Sequence, residues 1–240
     1  MYQEIVFVNS NDVDDHYDLK ISTIFKYLQQ VSTNHAELIG LGKKDTVDKG
    51  MFWVISRMKV VIHKMPKMLD TLTIKTHPGE TMIFIFPRFY QIYDQNNNLC
   101  ISASSSWALV DINTHKLLTK PLDNNFKMPS ETRPEDISLP EKVTLSSLEF
   151  IEERKVRYSD IDLNGHLNNT KYIDYIIDTH DIDFYKTHRV KEILINYEKE
   201  IKDQNVVHLY SDIKVEETIV GDVDGNHCFL AKIKYENRDD

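Results

Sequence analysis

One order of elements is written twice along this chain, and that repetition limits the folds open to it more than any single motif does. Residues 4–8 (Glu-Ile-Val-Phe-Val) read as a short strand. A polar turn follows, and then Ile21, Ile24, Phe25, Leu28, Val31, Leu38 and Ile39 recur at helical spacing. Ser22 is the expected cap, and Gly40 and Gly42 are the expected stop, since glycine tolerates a left-handed exit. Strands are expected near 52–63, 69–77, 82–94 and 99–111, rich in Val, Ile, Phe, Tyr and Thr and broken by Pro66, Pro78-Gly79 and the 94–98 turn. The second half repeats the plan. A strand near 148–158 precedes a polar turn, a helix carries Tyr172, Ile173, Ile176 and Ile177 on one face, and strands follow near 190–201, 205–217 and 226–236. At a constant offset of 148, Val8 falls on Val156, Asp12 on Asp160, Asp14 on Asp162, Phe25 on Ile173 and Tyr27 on Tyr175.

Between the halves, residues 113–147 hold Pro121, Pro129, Pro134 and Pro140 among Lys, Glu, Asp and Ser, the composition of a semi-rigid extended connector. A long helix wrapped by a curved antiparallel sheet is the hotdog arrangement. The expected fold class is therefore α+β, a double hotdog of two tandem units. The expected bounds are 1–125 for the first unit, 126–146 for the linker and 147–240 for the second.

Composition excludes several classes. The 240 residues suffice for sizeable cores, with 41% hydrophobic and 28% charged residues as in ordinary globular proteins. No run of about 18 apolar residues predicts a membrane span. The first residues lack a basic segment followed by an apolar one, so no secretory signal is expected and the expected location is cytoplasmic. The two cysteines, Cys100 and Cys228, read as buried reduced thiols. The net charge of −9, without an Arg-rich aromatic stripe, argues against nucleic-acid binding.

The densest chemistry lies in residues 158–169, Tyr-Ser-Asp-Ile-Asp-Leu-Asn-Gly-His-Leu-Asn-Asn. Asp160, Asp162, Asn164 and Gly165 spell the start of a calcium loop, but Lys171 stands where the metal needs a bidentate Glu, and the preceding segment reads as a strand. No metal is expected. Asp162, Asn164 and His166 lie two apart, so an extended turn would point them the same way. Such a set suits hydrolysis, which needs a base or nucleophile, an oriented water and a stabiliser for the developing oxyanion. Asp162 is the candidate to attack or to activate water, His166 to relay a proton, and the Asn164 amide to orient a partner. Backbone N–H groups at the following helix start can hold an oxyanion. Plainer roles compete with these. Asp160, Asn168 and Asn169 read as caps, His35 and Trp53 as packing residues, and Asp162 with His166 also reads as a structural pair.

The run from Asp160 to Ile173 resembles the signature of the acyl-acyl-carrier-protein thioesterase family. Tyr27-Leu28-Gln29-Gln30 with Asn34-His35-Ala36, Phe52-Trp53-Val54-Ile55-Ser56-Arg57, and Ser106-Trp107-Ala108-Leu109-Val110-Asp111 are similar to the family's first helix, second strand and first sheet end. The resemblance implies a catalytic set of Asp162, Asn164, His166 and Glu200, with Trp53 and Arg57 as candidate substrate-binding residues and no cofactor. On the residues alone, Glu200 is equally a solvated strand face beside Glu198, Lys199 and Lys202. Some relatives carry a cysteine after that glutamate; Ile201 here excludes a cysteine nucleophile at this place. Asp12-Val13-Asp14-Asp15-His16 keeps acids but not the Asn-x-His pattern, so the first copy reads as non-catalytic, holding the acyl chain while the second does the chemistry. The implied activity is hydrolysis of fatty acyl-carrier-protein thioesters to free fatty acid, ending chain elongation. The implied partner is acyl carrier protein, met by basic residues among Lys171, Lys186, Arg189 and Lys191. An acyl-CoA thioesterase and a non-catalytic acyl-binding module are the alternatives, and oligomeric state stays open with a homodimer as one option.

Overall fold

The computed structural model describes residues 1–118, 130–145, 147–212 and 216–238, and among these ten strands and three α-helices carry out this plan. Pro121, Pro129 and residues 126–129 and 146 of the expected linker lie outside the described residues. The chain divides into two units, Met1–Lys20 with Lys26–Pro140, and Ile21–Phe25 with Glu141–Asp240.

In the first unit, β1 (Tyr2–Phe7), β2 (Met51–Ile62), β3 (Thr71–Pro78), β4 (Phe86–Tyr93) and β5 (Leu99–Asp111) pair antiparallel in the order β1-β3-β4-β5-β2. The helix α1 (Ile21–Leu38) buries Ile24, Phe25, Leu28 and Val31, each worth about 1.5–3 kcal/mol when fully removed from water. Its polar inward residues are matched to the sheet. Ser32 Oγ lies 2.7 Å from Tyr90 Oη, Tyr90 Oη lies 3.0 Å from Ser105 Oγ, and Trp107 Nε1 donates to Ser105 Oγ at 2.7 Å. A buried hydroxyl costs far more unpaired than paired, so this chain of bonds fixes how α1 sits on β4 and β5.

The second unit follows the same order in its own strands. Here β6 (Glu149–Lys155), β7 (His188–Tyr197), β8 (Val206–Ser211), β9 (Glu216–Val223) and β10 (Asn226–Asn237) pair antiparallel as β6-β8-β9-β10-β7. The helix α2 (Asn169–Ile177) buries Tyr172, Ile173, Tyr175 and Ile176. Phe229 and Tyr197 meet the Tyr172 ring edge-on, each with its centroid 5.3 Å away. Cys100 and Cys228 are free and buried at matching places on β5 and β10.

Several sequence expectations shift. Ser22 does not cap α1. The helix starts at Ile21 behind Lys20, which makes no side-chain cap, so Ser22 lies inside the first turn. The run 205–217 is not one strand but β8 and the start of β9. Asp212 Oδ1 accepts from Thr218 N at 2.7 Å, and residues 213–215 lie outside the described residues. A short helix α3 (Ile182–Thr187), capped by Asp181 through Phe184 N, adds to the elements expected from the sequence. The connector is also tied down where described. Ser104 Oγ donates to Ser138 O at 2.6 Å, and Val143 N donates to Asn196 Oδ1 at 2.8 Å. Among the described residues, no helix is long and apolar enough to cross a membrane.

Candidate active site

The polar run is a tight turn and not an extended segment. Asp160 opens it, its Oδ2 accepting from Arg157 N at 2.9 Å and from Tyr175 Oη at 3.3 Å. Asp162 then binds its own turn. Its Oδ1 accepts from Asn164 N at 2.8 Å and His166 N at 3.2 Å, and its N–H donates to His166 O at 2.8 Å. Gly165 takes φ +80°, a left-handed position that glycine enters without strain. The chain therefore reverses among the three polar residues instead of running extended through them. Asp162 and His166 face each other across the turn, and Asn164 stands exposed at its tip. Asn168 caps α2, its Oδ1 accepting from Thr170 N at 3.0 Å.

The turn meets a second segment that is distant in sequence. His166 bridges to Lys202, and Leu167 N donates to Ile201 O at 2.7 Å. This register brings Glu200 Oε2 to 3.2 Å from His166 Nε2, with the histidine side chain 25% and the glutamate side chain 43% exposed. Glu200 is thus not on a strand face. β7 ends at Tyr197, and Glu200 belongs to the β7–β8 connection. Ile201 N donates to Tyr172 Oη at 3.3 Å, so both peptide groups of the residue after Glu200 are bound. Burial, with Glu200 and Asp162 adding smaller effects, holds the Tyr172 phenol above its ordinary pKa and so protonated. A carboxylate beside an imidazole can orient it and balance the charge it gains on taking a proton from water. Lys171 pairs with Asp174 at 3.1 Å, and among the described residues no group of three or more His, Cys, Asp or Glu is placed to hold a metal.

The first unit repeats this turn bond for bond. Asp14 Oδ1 accepts from His16 N at 2.9 Å and Asp18 N at 3.0 Å, and Asp14 N donates to Asp18 O at 2.9 Å. Tyr17, at φ 62°, takes the place of Gly165. Asp18 bridges to Lys67 as His166 does to Lys202, and its carboxylate meets Lys67 Nζ at 3.1 Å. Asp162 therefore has a counterpart in Asp14, whereas Asn164, His166 and Glu200 are replaced by His16, Asp18 and Met65.

The remaining candidates are packed. Trp53 Nε1 donates to Leu41 O at 3.0 Å and its ring meets Phe86 edge-on at 4.9 Å, beside the buried Met51 and Leu109. Arg57 is half-buried at a bulge on β2. His35 is buried against the sheet, Arg88 Nη1 donating to its Nδ1 at 3.0 Å and the Tyr2 ring stacking on it. Burial first, and then the Arg88 charge, pull its pKa down to about 4, so it is neutral near pH 7. Lys186 pairs with Asp183, and Arg189 and Lys191 share Glu236, so each of the expected docking cations already faces a carboxylate. Sequence reading missed two buried polar residues, Arg88 and Tyr172. The hydroxyl of Tyr172 was hidden because its ring fits an apolar helix face.

A strand, a helical segment and four antiparallel strands, occurring twice, define a protein built of two hotdog units, the helical segment being the single α1 in the first and the shorter α2 with α3 in the second. The solved structures agree in fold. An acyl-ACP thioesterase from Bacteroides thetaiotaomicron superposes with a TM-score of 0.90 at 22% identity, covering 98% of this chain and 97% of that one. The 12:0-ACP thioesterase from Umbellularia californica gives 0.84 at 18%, covering 99% and 97%. Residues 1–123 match the family model of the acyl-ACP thioesterase N-terminal domain and residues 145–232 that of its C-terminal domain, so the chain belongs to the acyl-ACP thioesterase family. A chloroplastic palmitoyl-acyl carrier protein thioesterase of Arabidopsis thaliana is 23% identical over 221 residues, covering 86% of this chain and 54% of its own length. Oleoyl-acyl carrier protein thioesterase 2 of the same plant is 24% identical over 265 residues, covering 99% and 70%. The chain thus spans about half the length of the first of these curated relatives.

Proposed function

We propose that this chain hydrolyses fatty acyl-acyl-carrier-protein thioesters, releasing free fatty acid and ending chain elongation. The observation that carries this reading is the His166–Glu200 pair at 3.2 Å, held on a turn whose duplicate in the first unit has neither residue. The His166–Glu200 pair takes a proton from a water, and the water oxygen adds to the thioester carbonyl carbon. The exposed Asn164 amide stabilises the oxyanion, since Thr170 N and Lys171 N at the start of α2 are already bonded to Asn168. Collapse breaks the carbon–sulfur bond, and the proton held by the pair returns to the departing phosphopantetheine thiolate. Asp162 keeps the turn in shape through Oδ1. No cofactor enters these steps.

The second unit, over 147–240, does this chemistry. The first, over 1–125, holds the acyl chain, with Trp53 beside an apolar cluster and Arg57 as the substrate-facing residues. Acyl carrier protein is the partner that family membership supports. Lys171, Lys186, Arg189 and Lys191 meet it by exchanging their present carboxylate partners for those of the carrier. Comparing kcat/KM on matched carrier-protein and CoA thioesters over a ladder of chain lengths tests the reading. It expects the carrier-linked substrates to be preferred. Equal or faster turnover of CoA thioesters would point to an acyl-CoA thioesterase, and no turnover of either to a binding module.

A further inference from the structure

We propose that Tyr172 is a positioning residue that sets Glu200 against His166, an inference that rests on the reading of that pair as the hydrolytic centre. Ile201, directly after Glu200, is fully buried, and its carbonyl is taken by Leu167 N at 2.7 Å. Its N–H goes to Tyr172 Oη at 3.3 Å. The tyrosine cannot drift, because it is buried in the first turns of α2 with Tyr197 and Phe229 edge-on to its ring. Glu200 therefore hangs from a residue bolted at both its peptide groups to the turn and helix that carry His166.

The first unit shows that the corner does not need this bolt in order to form. There, His63 N and Lys64 N donate to Cys100 O at 2.8 and 3.1 Å, as Glu198 N and Lys199 N donate to Cys228 O at 2.8 and 3.1 Å. Leu19 N donates to Pro66 O as Leu167 N does to Ile201 O. Three residues differ together. Pro66 stands for Ile201 and has no N–H, Ile24 stands for Tyr172 and has no hydroxyl, and Met65 stands for Glu200 and has no carboxylate. Donor, acceptor and carboxylate are present together in one unit and replaced together in the other. The bond serves the carboxylate and not the backbone.

A double-variant cycle of Tyr172→Phe and Glu200→Gln, read as kcat and KM on an acyl-carrier-protein thioester with melting temperatures alongside, tests this. Tyr172→Phe keeps the ring and its edge contacts. It is expected to lower kcat by on the order of 100-fold with KM unchanged, since small misplacements of a reacting group cost that much. On Glu200→Gln it is expected to add no further loss, because it acts through that carboxylate. A merely structural tyrosine would lower both backgrounds by the same factor. Such equal loss, or a wild-type kcat in Tyr172→Phe while Glu200→Gln is inactive, overturns the inference and leaves the proposed function standing. Full activity in Glu200→Gln overturns both.

Discussion

Asp14 and Asp162 do the same thing in the two units: one carboxylate oxygen of each gathers two backbone N–H groups of its own turn, at 2.9 and 3.0 Å and at 2.8 and 3.2 Å. A residue present in both copies and making the same bonds is scaffold first. Only the second copy adds His166 and Glu200 to the frame.

Stability and activity should accordingly separate at these two aspartates. Asp14→Ala and Asp162→Ala each leave two N–H groups without their acceptor, a loss of roughly 1–3 kcal/mol that urea unfolding measures. Asp162→Ala should nearly abolish hydrolysis, whereas Asp14→Ala should leave kcat unchanged. Asp162→Asn retains an acceptor oxygen and should keep most of both. An Asp162→Asn protein with full stability and no turnover would instead make the carboxylate charge itself part of the reaction.

His35 predicts a pH dependence of stability. Its folded pKa of about 4 lies below the unfolded value of 6.5, so the unfolded chain binds the extra proton between them. Stability should be complete above about pH 6.5 and fall as the pH drops toward 4, by up to roughly 3 kcal/mol. In a His35→Gln variant that slope should shrink. An unchanged slope from pH 6.5 to 4 would refute the assignment.

The Ser32–Tyr90–Ser105 chain gives a third test. Tyr90→Phe removes the hydroxyl between two buried serines, which retain bonds to Leu28 O and Trp107 Nε1. A loss of about 1–2 kcal/mol is expected in thermal or urea unfolding, without a change in fold by circular dichroism. A neutral or stabilising outcome would mean that the serines satisfy each other once the hydroxyl is gone.

Much of the fold could be read before the structure, because strand and helix periods, the glycine stops and the offset of 148 residues are local signals. The division of 205–217 between β8 and β9 could not, since the run carries no glycine or proline to mark a break. At the site, residue types were legible but geometry was not. Spacing two apart presumes an extended segment through Asp162, Asn164 and His166, and the hydrogen bonds to Asp162 Oδ1 make it a tight turn instead. Glu200 depends on the register of Ile201 and Lys202 against the turn, a long-range pairing that no local pattern encodes. The Ile201–Tyr172 bond is invisible for the same reason.

Fatty acid release from an acyl-carrier-protein thioester by the wild-type chain and by Glu200→Gln, assayed at equal folded concentration, bears most directly on the His166–Glu200 pair. The expected result is turnover by the wild type and a loss of on the order of 100-fold or more in the variant, at an unchanged melting temperature. Wild-type rates in Glu200→Gln would contradict the account.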